Sequence, residues 1–153
     1  MKMVIKVEIL NRKANFDYAI EDTYEAGIAL KGTEVKSIRN GKANIKDSYA
    51  IVRNDEIFLL NTHISLYEEG NNFNHEETRT RKLLLHKKEI LKLKNKVEME
   101  GYTLIPLKIY FVKQRVKVLI GLAKGKKNYD KRADIAKRDA DRNIAKALKQ
   151  RNM

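Results

Sequence analysis

A small, mainly β domain, an antiparallel barrel or sandwich followed by a basic extension, is the fold class this sequence predicts. Three observations carry it. Short apolar stretches rich in β-branched and aromatic residues recur between turn signals. Only two stretches of the body keep helical spacing. The positive charge gathers in the last fifth of the chain, where aromatic residues almost vanish. A chain of 153 residues suits one hydrophobic core.

In chain order, Phe16 to Leu30 alternates imperfectly and is rich in aromatic and β-branched residues, as a strand requires. Glu34 to Asn40 reads as a short helix with Thr33 as N-cap, Gly41 as stop, and Val35 and Ile38 on its buried side. Ser48 to Ile64 pairs two apolar runs around Arg53-Asn54-Asp55-Glu56, a hairpin turn. Leu83 to Glu100 is the second helix, with Asn95 a point where it could split and Gly101 its end. Tyr102 to Ala123 repeats the hairpin pattern around Lys113-Gln114-Arg115. Its second half alternates, with Val116, Val118 and Ile120 on one face. Pro106 lacks a backbone donor and so implies an edge strand or a bulge in the first half.

The extension differs in kind. Residues 1–123 form the body and residues 124–153 the tail, with the boundary at the glycine- and lysine-rich Gly121 to Lys127. The tail holds 11 Lys/Arg against 4 Asp, a net of +7 out of +13 for the chain. It has alanines but neither Gly nor Pro from Asp130 to Arg151. Its apolar stripe of Ile135, Ala136, Ala140, Ile144, Ala147 and Leu148 is narrow. Such a segment is a nascent helix that orders on an anionic partner.

Composition excludes several classes. Without cysteine there is no disulfide or thiolate site, and His63, His75 and His86 are too dispersed for a local metal motif. No run approaches bilayer-spanning length and no signal-peptide core opens the chain, so a cytoplasmic protein without membrane contact is expected. No phosphate-cradling glycine loop or zinc-protease motif occurs. The acidic residues Asp17, Glu21, Asp22 and Glu25 could in principle hold a metal for RNA cleavage. The spacing favours solvent-facing strand residues instead. No enzymatic activity and no cofactor are expected.

Four basic clusters point to nucleic acid: Asn11-Arg12-Lys13; Lys36, Arg39 and Lys42 around the first helix; Arg79, Arg81 and Lys82 beside Thr78 and Thr80; and Lys124, Lys126 and Lys127. Glu34, just inside a helix start, ordinarily complements the helix dipole, and beside Lys36 and Arg39 it could instead accept from a base or ribose. Tyr129, within the basic tail, is suited to stacking on a base.

The stretches AGIALKGTEVKSIRNGKANIKDSY (Ala26 to Tyr49), TRTRKLLLHKKEI (Thr78 to Ile90) and IGLAKGKKNYDKR (Ile120 to Arg132) closely resemble the SsrA-binding protein family, as does Asn11-Arg12-Lys13-Ala14. The resemblance implies an OB-like antiparallel barrel and a basic tail that becomes helical on the ribosome. It implies an adaptor that binds the tRNA-like domain of tmRNA and helps deliver it to stalled ribosomes, with elongation factor Tu in the delivery complex. The body would stand in for the codon–anticodon stem, and the tail would probe the decoding centre and the empty mRNA channel. By resemblance Glu34, Leu84 and His86 are tmRNA contacts. Lys124, Lys126, Lys127, Asp130, Lys131 and Arg132 match the ribosome-acting tail motif, from which Tyr129 departs while keeping a ring that can stack on rRNA. Tyr129, Phe16 and Thr33 stand where members often carry His, His and Trp. A monomer is expected. The alternatives are a constitutive rRNA-binding protein, a general RNA chaperone, or an RNA-processing enzyme using the acidic group.

Overall fold

The computed structural model describes residues 7–67 and 74–125. In these residues the elements run β1 (Glu8–Leu10), α1 (Ala14–Asp17), β2 (Tyr18–Ile28), α2 (Gly32–Arg39), β3 (Ala43–Asn44), β4 (Tyr49–Arg53), β5 (Glu56–Leu60), β6 (His63–Ile64), β7 (Arg81–Leu84), α3 (Lys87–Glu100), β8 (Thr103–Val112) and β9 (Arg115–Gly125).

The strands close on themselves. From β8 the pairing passes through β4, β5, β7, β2 and β9 and returns to β8, every pair antiparallel, with β1 added beside β8. Closure removes the open edges of a sheet, which makes this the expected OB-like antiparallel barrel. The separate β3–β6 pair flanks it. Inside sit Ala26, Ile57, Leu59, Leu83, Leu104, Ile109, Val118, Ile120 and Leu122, all at most 2% exposed. Ile38 of α2 and Ile90 and Leu93 of α3 join the same core.

Both anticipated hairpins form with two-residue turns. Arg53 pairs with Glu56 and Val112 with Arg115, leaving Asn54-Asp55 and Lys113-Gln114 at positive φ (53°, 60°; 49°, 68°). Two consecutive left-handed residues turn the chain with the twist that antiparallel strands need. Gly101 ends α3 at φ 71° as expected.

Several boundaries differ from the sequence reading. Leu83 and Leu84 belong to β7, not to the second helix. Arg81 and Leu83 point inward and Lys82 and Leu84 outward, a period of two that strand pairing with β5 and β2 selects. Asn95 does not split α3, which is continuous from Lys87 to Glu100. Lys31, not Thr33, occupies the N-cap of α2, where its N–H donates to Glu34 Oε1 at 2.8 Å. Strand β2 starts at Tyr18 because Ala14–Asp17 make a helical turn. Pro106 does lie at a bulge, but β8 is flanked on both sides. Proline is tolerated where β8 passes from β4 to β1 and its register with β9 shifts.

Candidate nucleic-acid interface

The segment from Arg79 to His86 leaves a buried ion cluster at one end and enters an exposed cleft at the other. At the buried end, Glu34 and Arg81 are both completely enclosed. Arg81 Nε donates to Glu34 Oε2, and the rest of its guanidinium donates to the carbonyls of Thr62 (2.7 Å), Arg79 (3.1 Å) and Glu77 (3.1 Å). Arg79 forks onto the same carboxylate, with Nε at 3.2 and 3.1 Å from its two oxygens. Burial pushes the Glu34 carboxyl up, but Arg79, the Lys31 N–H and Arg81 outweigh it and hold it below its ordinary value. Each partner supplies the hydrogen bonds that a buried charge requires.

Beside this cluster, Thr33 Oγ1 and His75 Nδ1 lie 2.8 Å apart, and His75 Nε2 donates to the Ile64 carbonyl at 2.8 Å. A donating Nε2 on a neutral ring leaves Nδ1 as acceptor for the Thr33 hydroxyl. Thr33 therefore ties α2 to the segment before β7 instead of capping its own helix.

The open end carries Leu84, 52% exposed, and His86, exposed at the N-cap of α3. Both line a cleft of about 600 Å³ together with Thr23, Glu25, Gly27 and Glu89. The carboxylates that line the cleft with Leu84 and His86 are thus Glu25 and Glu89, while Glu34 lies in the buried cluster. The inward Ala26 turns its neighbour Glu25 outward, whereas Glu34 is buried against two guanidiniums. Burial, then the adjoining Glu25, holds the Tyr110 phenol above its usual value.

The remaining basic residues are dispersed. Asn11 faces inward, its side-chain amide donating to the Pro106 carbonyl at 3.0 Å, while Arg12 and Lys13 are exposed. Lys13 borders a separate cleft of about 430 Å³ with Tyr18, Lys46 and Tyr49. Lys36, Arg39 and Lys42 are exposed on and after α2, with the Lys36 ammonium 5.3 Å from the Tyr67 ring centre. Lys82 pairs with Glu56 at 3.3 Å, and Lys124, within β9, lies 4.4 Å over the Tyr102 ring. Arg81 is the correction among the basic set. It alternates inward on β7, so its charge meets Glu34 and not a phosphate. Lys126, Lys127, Tyr129, Asp130, Lys131, Arg132 and the tail helix lie outside the described residues.

Among the described residues no three His, Asp or Glu side chains converge as a metal site, and no helix is long and apolar enough to cross a membrane.

Known proteins share this chain over almost its full length. The family model described as SmpB protein matches residues 8–150. The SsrA-binding protein of Moorella thermoacetica is 61% identical over 148 residues, covering 96% of both chains. That of Shouchella clausii is 58% identical, covering 95% of this chain and 94% of its own. That of Enterococcus faecalis is 60% identical over 91% of this chain and 90% of its own. A chain from a solved structure described as "tmRNA-SmpB: a journey to the center of the bacterial ribosome" superposes with a TM-score of 0.67 at 53% identity, covering 80% of this chain and 86% of that one. With its barrel, its exposed Leu84–His86 cleft and this match from residue 8 to residue 150, the chain belongs to the SmpB protein family.

Proposed function

We propose that this protein is an RNA-binding adaptor of trans-translation. It binds the tRNA-like domain of tmRNA and helps bring it to stalled ribosomes, with elongation factor Tu in the delivery complex. The body takes the place of the codon–anticodon stem, and residues 124–153 probe small-subunit rRNA at the decoding centre and the empty mRNA channel. The observation that carries the reading is the exposed cleft at the β7–α3 junction lined by Leu84 and His86, in a chain of this family.

In this reading Leu84, His86 and Glu25 meet the RNA, an apolar side chain, a ring and a carboxylate being suited to unpaired bases more than to phosphate alone. Glu34 and Arg81 are positioning residues: their pair fixes where β7 starts, and through it where Leu84 and His86 stand. Arg12, Lys13, Lys36, Arg39, Lys42 and Lys82 add salt-dependent affinity. The basic tail supplies the charge that rRNA phosphates would order.

The test is a salt-titrated binding assay of tmRNA against an ordinary tRNA, comparing the full chain with one ending at Lys124. Both should prefer tmRNA and differ mainly in salt slope. Equal affinity for the two RNAs would instead establish a general RNA binder.

A further inference from the structure

Leu84, Gly27 and Lys117 form one row across three neighbouring strands. Gly27 of β2 is in register with Leu84 of β7 on one side and with Lys117 of β9 on the other. Leu83, Ala26, Val116 and Val118, their neighbours along each strand, are buried, so alternation turns all three members of the row outward. Because Gly27 has no side chain, Leu84 and Lys117 stand as opposite walls over bare backbone. The cleft at Leu84 and His86 and a second of about 250 Å³ share these three residues, and the second adds Arg115, Leu30 and Val35. A Cβ placed on residue 27 would lie 3.2 Å from Leu84 Cβ, so even alanine crowds the floor.

The trough is electrically polarised. Glu25 and Glu89 lie in the first cleft, while Arg115 is in the second and Lys117 borders both. Among the described residues no carboxylate pairs with Arg115 or Lys117, although Lys82, Lys94, Lys96 and Lys108 each have one. An apolar wall, a bare floor, cations at one end and carboxylates at the other match the parts of a single nucleotide. A phosphate suits the guanidinium and ammonium, and the amino and imino hydrogens of a base edge suit the carboxylates.

Resting on the RNA-binding reading above, we propose that this trough seats one unpaired nucleotide of the bound RNA. Its ribose lies over the Gly27 backbone against Leu84, its phosphate on Arg115 and Lys117, and its base edge towards Glu25 and Glu89. A paired nucleotide has the imino and one amino hydrogen of its Watson–Crick edge already engaged by its partner base, whereas an unpaired one offers that whole edge to the two carboxylates. Arg115 and Lys117 become RNA-binding residues, although neither belongs to the basic clusters apparent along the chain.

The experiment titrates the full chain against the tRNA-like domain of tmRNA and an ordinary tRNA at several salt concentrations. The double variant R115Q/K117Q removes two phosphate contacts. Its salt slope on tmRNA should fall by about one, with roughly tenfold or greater loss of affinity at low salt. K117Q alone should also lower the slope, and K113Q, on the same hairpin but outside the trough, should lower it by less. G27A should bind more weakly at every salt concentration with an unchanged slope, its fold checked by circular dichroism. If G27A does not fold, R115Q/K117Q decides alone. An unchanged slope in R115Q/K117Q, an effect of K113Q as large as that of K117Q, or folded G27A binding like wild type each overturns the trough while wild type still prefers tmRNA. Loss of that preference in wild type itself overturns the functional reading instead.

Discussion

The Glu34 carboxylate and the Arg81 guanidinium meet where both side chains are wholly shielded from solvent, joining the first turn of α2 to the start of β7 across 47 residues of chain. A pair so placed cannot exchange its partner for water. Removing one member leaves the other charged and enclosed.

The first expectation follows from that enclosure. Arg81→Ala or Glu34→Ala should lower unfolding stability by about 3–5 kcal/mol: the first empties a fully buried site and leaves Glu34 with Arg79 alone, the second leaves the enclosed Arg81 charge without its carboxylate. Arg79→Ala should cost less, since Arg79 is 24% exposed and Glu34 keeps Arg81. Urea unfolding at neutral pH measures all three. Equal costs at Arg79 and Arg81 would contradict the burial argument.

Acid should act through the same group. Glu34 is held below its ordinary value of 4.5 in the folded protein, so the unfolded chain binds its proton first as pH falls. Its contribution to stability is therefore full above the unfolded value and lost as pH descends from there through the folded value. The urea midpoint should decline across this window, and Glu34→Gln, less stable at neutral pH, should show a shallower decline.

Leu83 and Leu84 are adjacent yet should behave oppositely. Leu83 is 1% exposed and Leu84 52%. Leu83→Ala should cost about 2–5 kcal/mol of stability. Leu84→Ala should leave stability within about 0.5 kcal/mol and weaken tmRNA binding about tenfold or more. Thermal unfolding and a binding isotherm on the same two variants separate these effects.

The second hairpin turn holds room for improvement. Gln114 sits at φ 68°, where a side chain crowds its own backbone. Gln114→Gly should stabilise by about 0.5–1 kcal/mol, with the gain measured by calorimetry and no change in RNA affinity. A loss of stability would mean that the unfolded-state entropy of glycine outweighs the relieved strain.

Local chemistry was legible wherever a residue's role depends on its neighbours in sequence. Asn54-Asp55 and Lys113-Gln114 were recognisable as turns from the apolar runs around them. The inward face of Val116, Val118 and Ile120 followed from alternation, and Gly101 and Gly41 from their places after helical spacing. The quoted motifs likewise pointed to the family, since sequence likeness extends along the chain.

What depends on pairing between distant strands was not legible. Arg81 lies in a basic run and looks available to phosphate until β7 pairs with β5 and β2 and turns it inward onto Glu34. Glu25 seemed one of several strand acids until Gly27 aligned with Leu84 and set it beside His86. A strand's alternation says only that successive side chains diverge. The register of strands remote in sequence decides which face is the core, and with it which charges are buried and which remain for RNA.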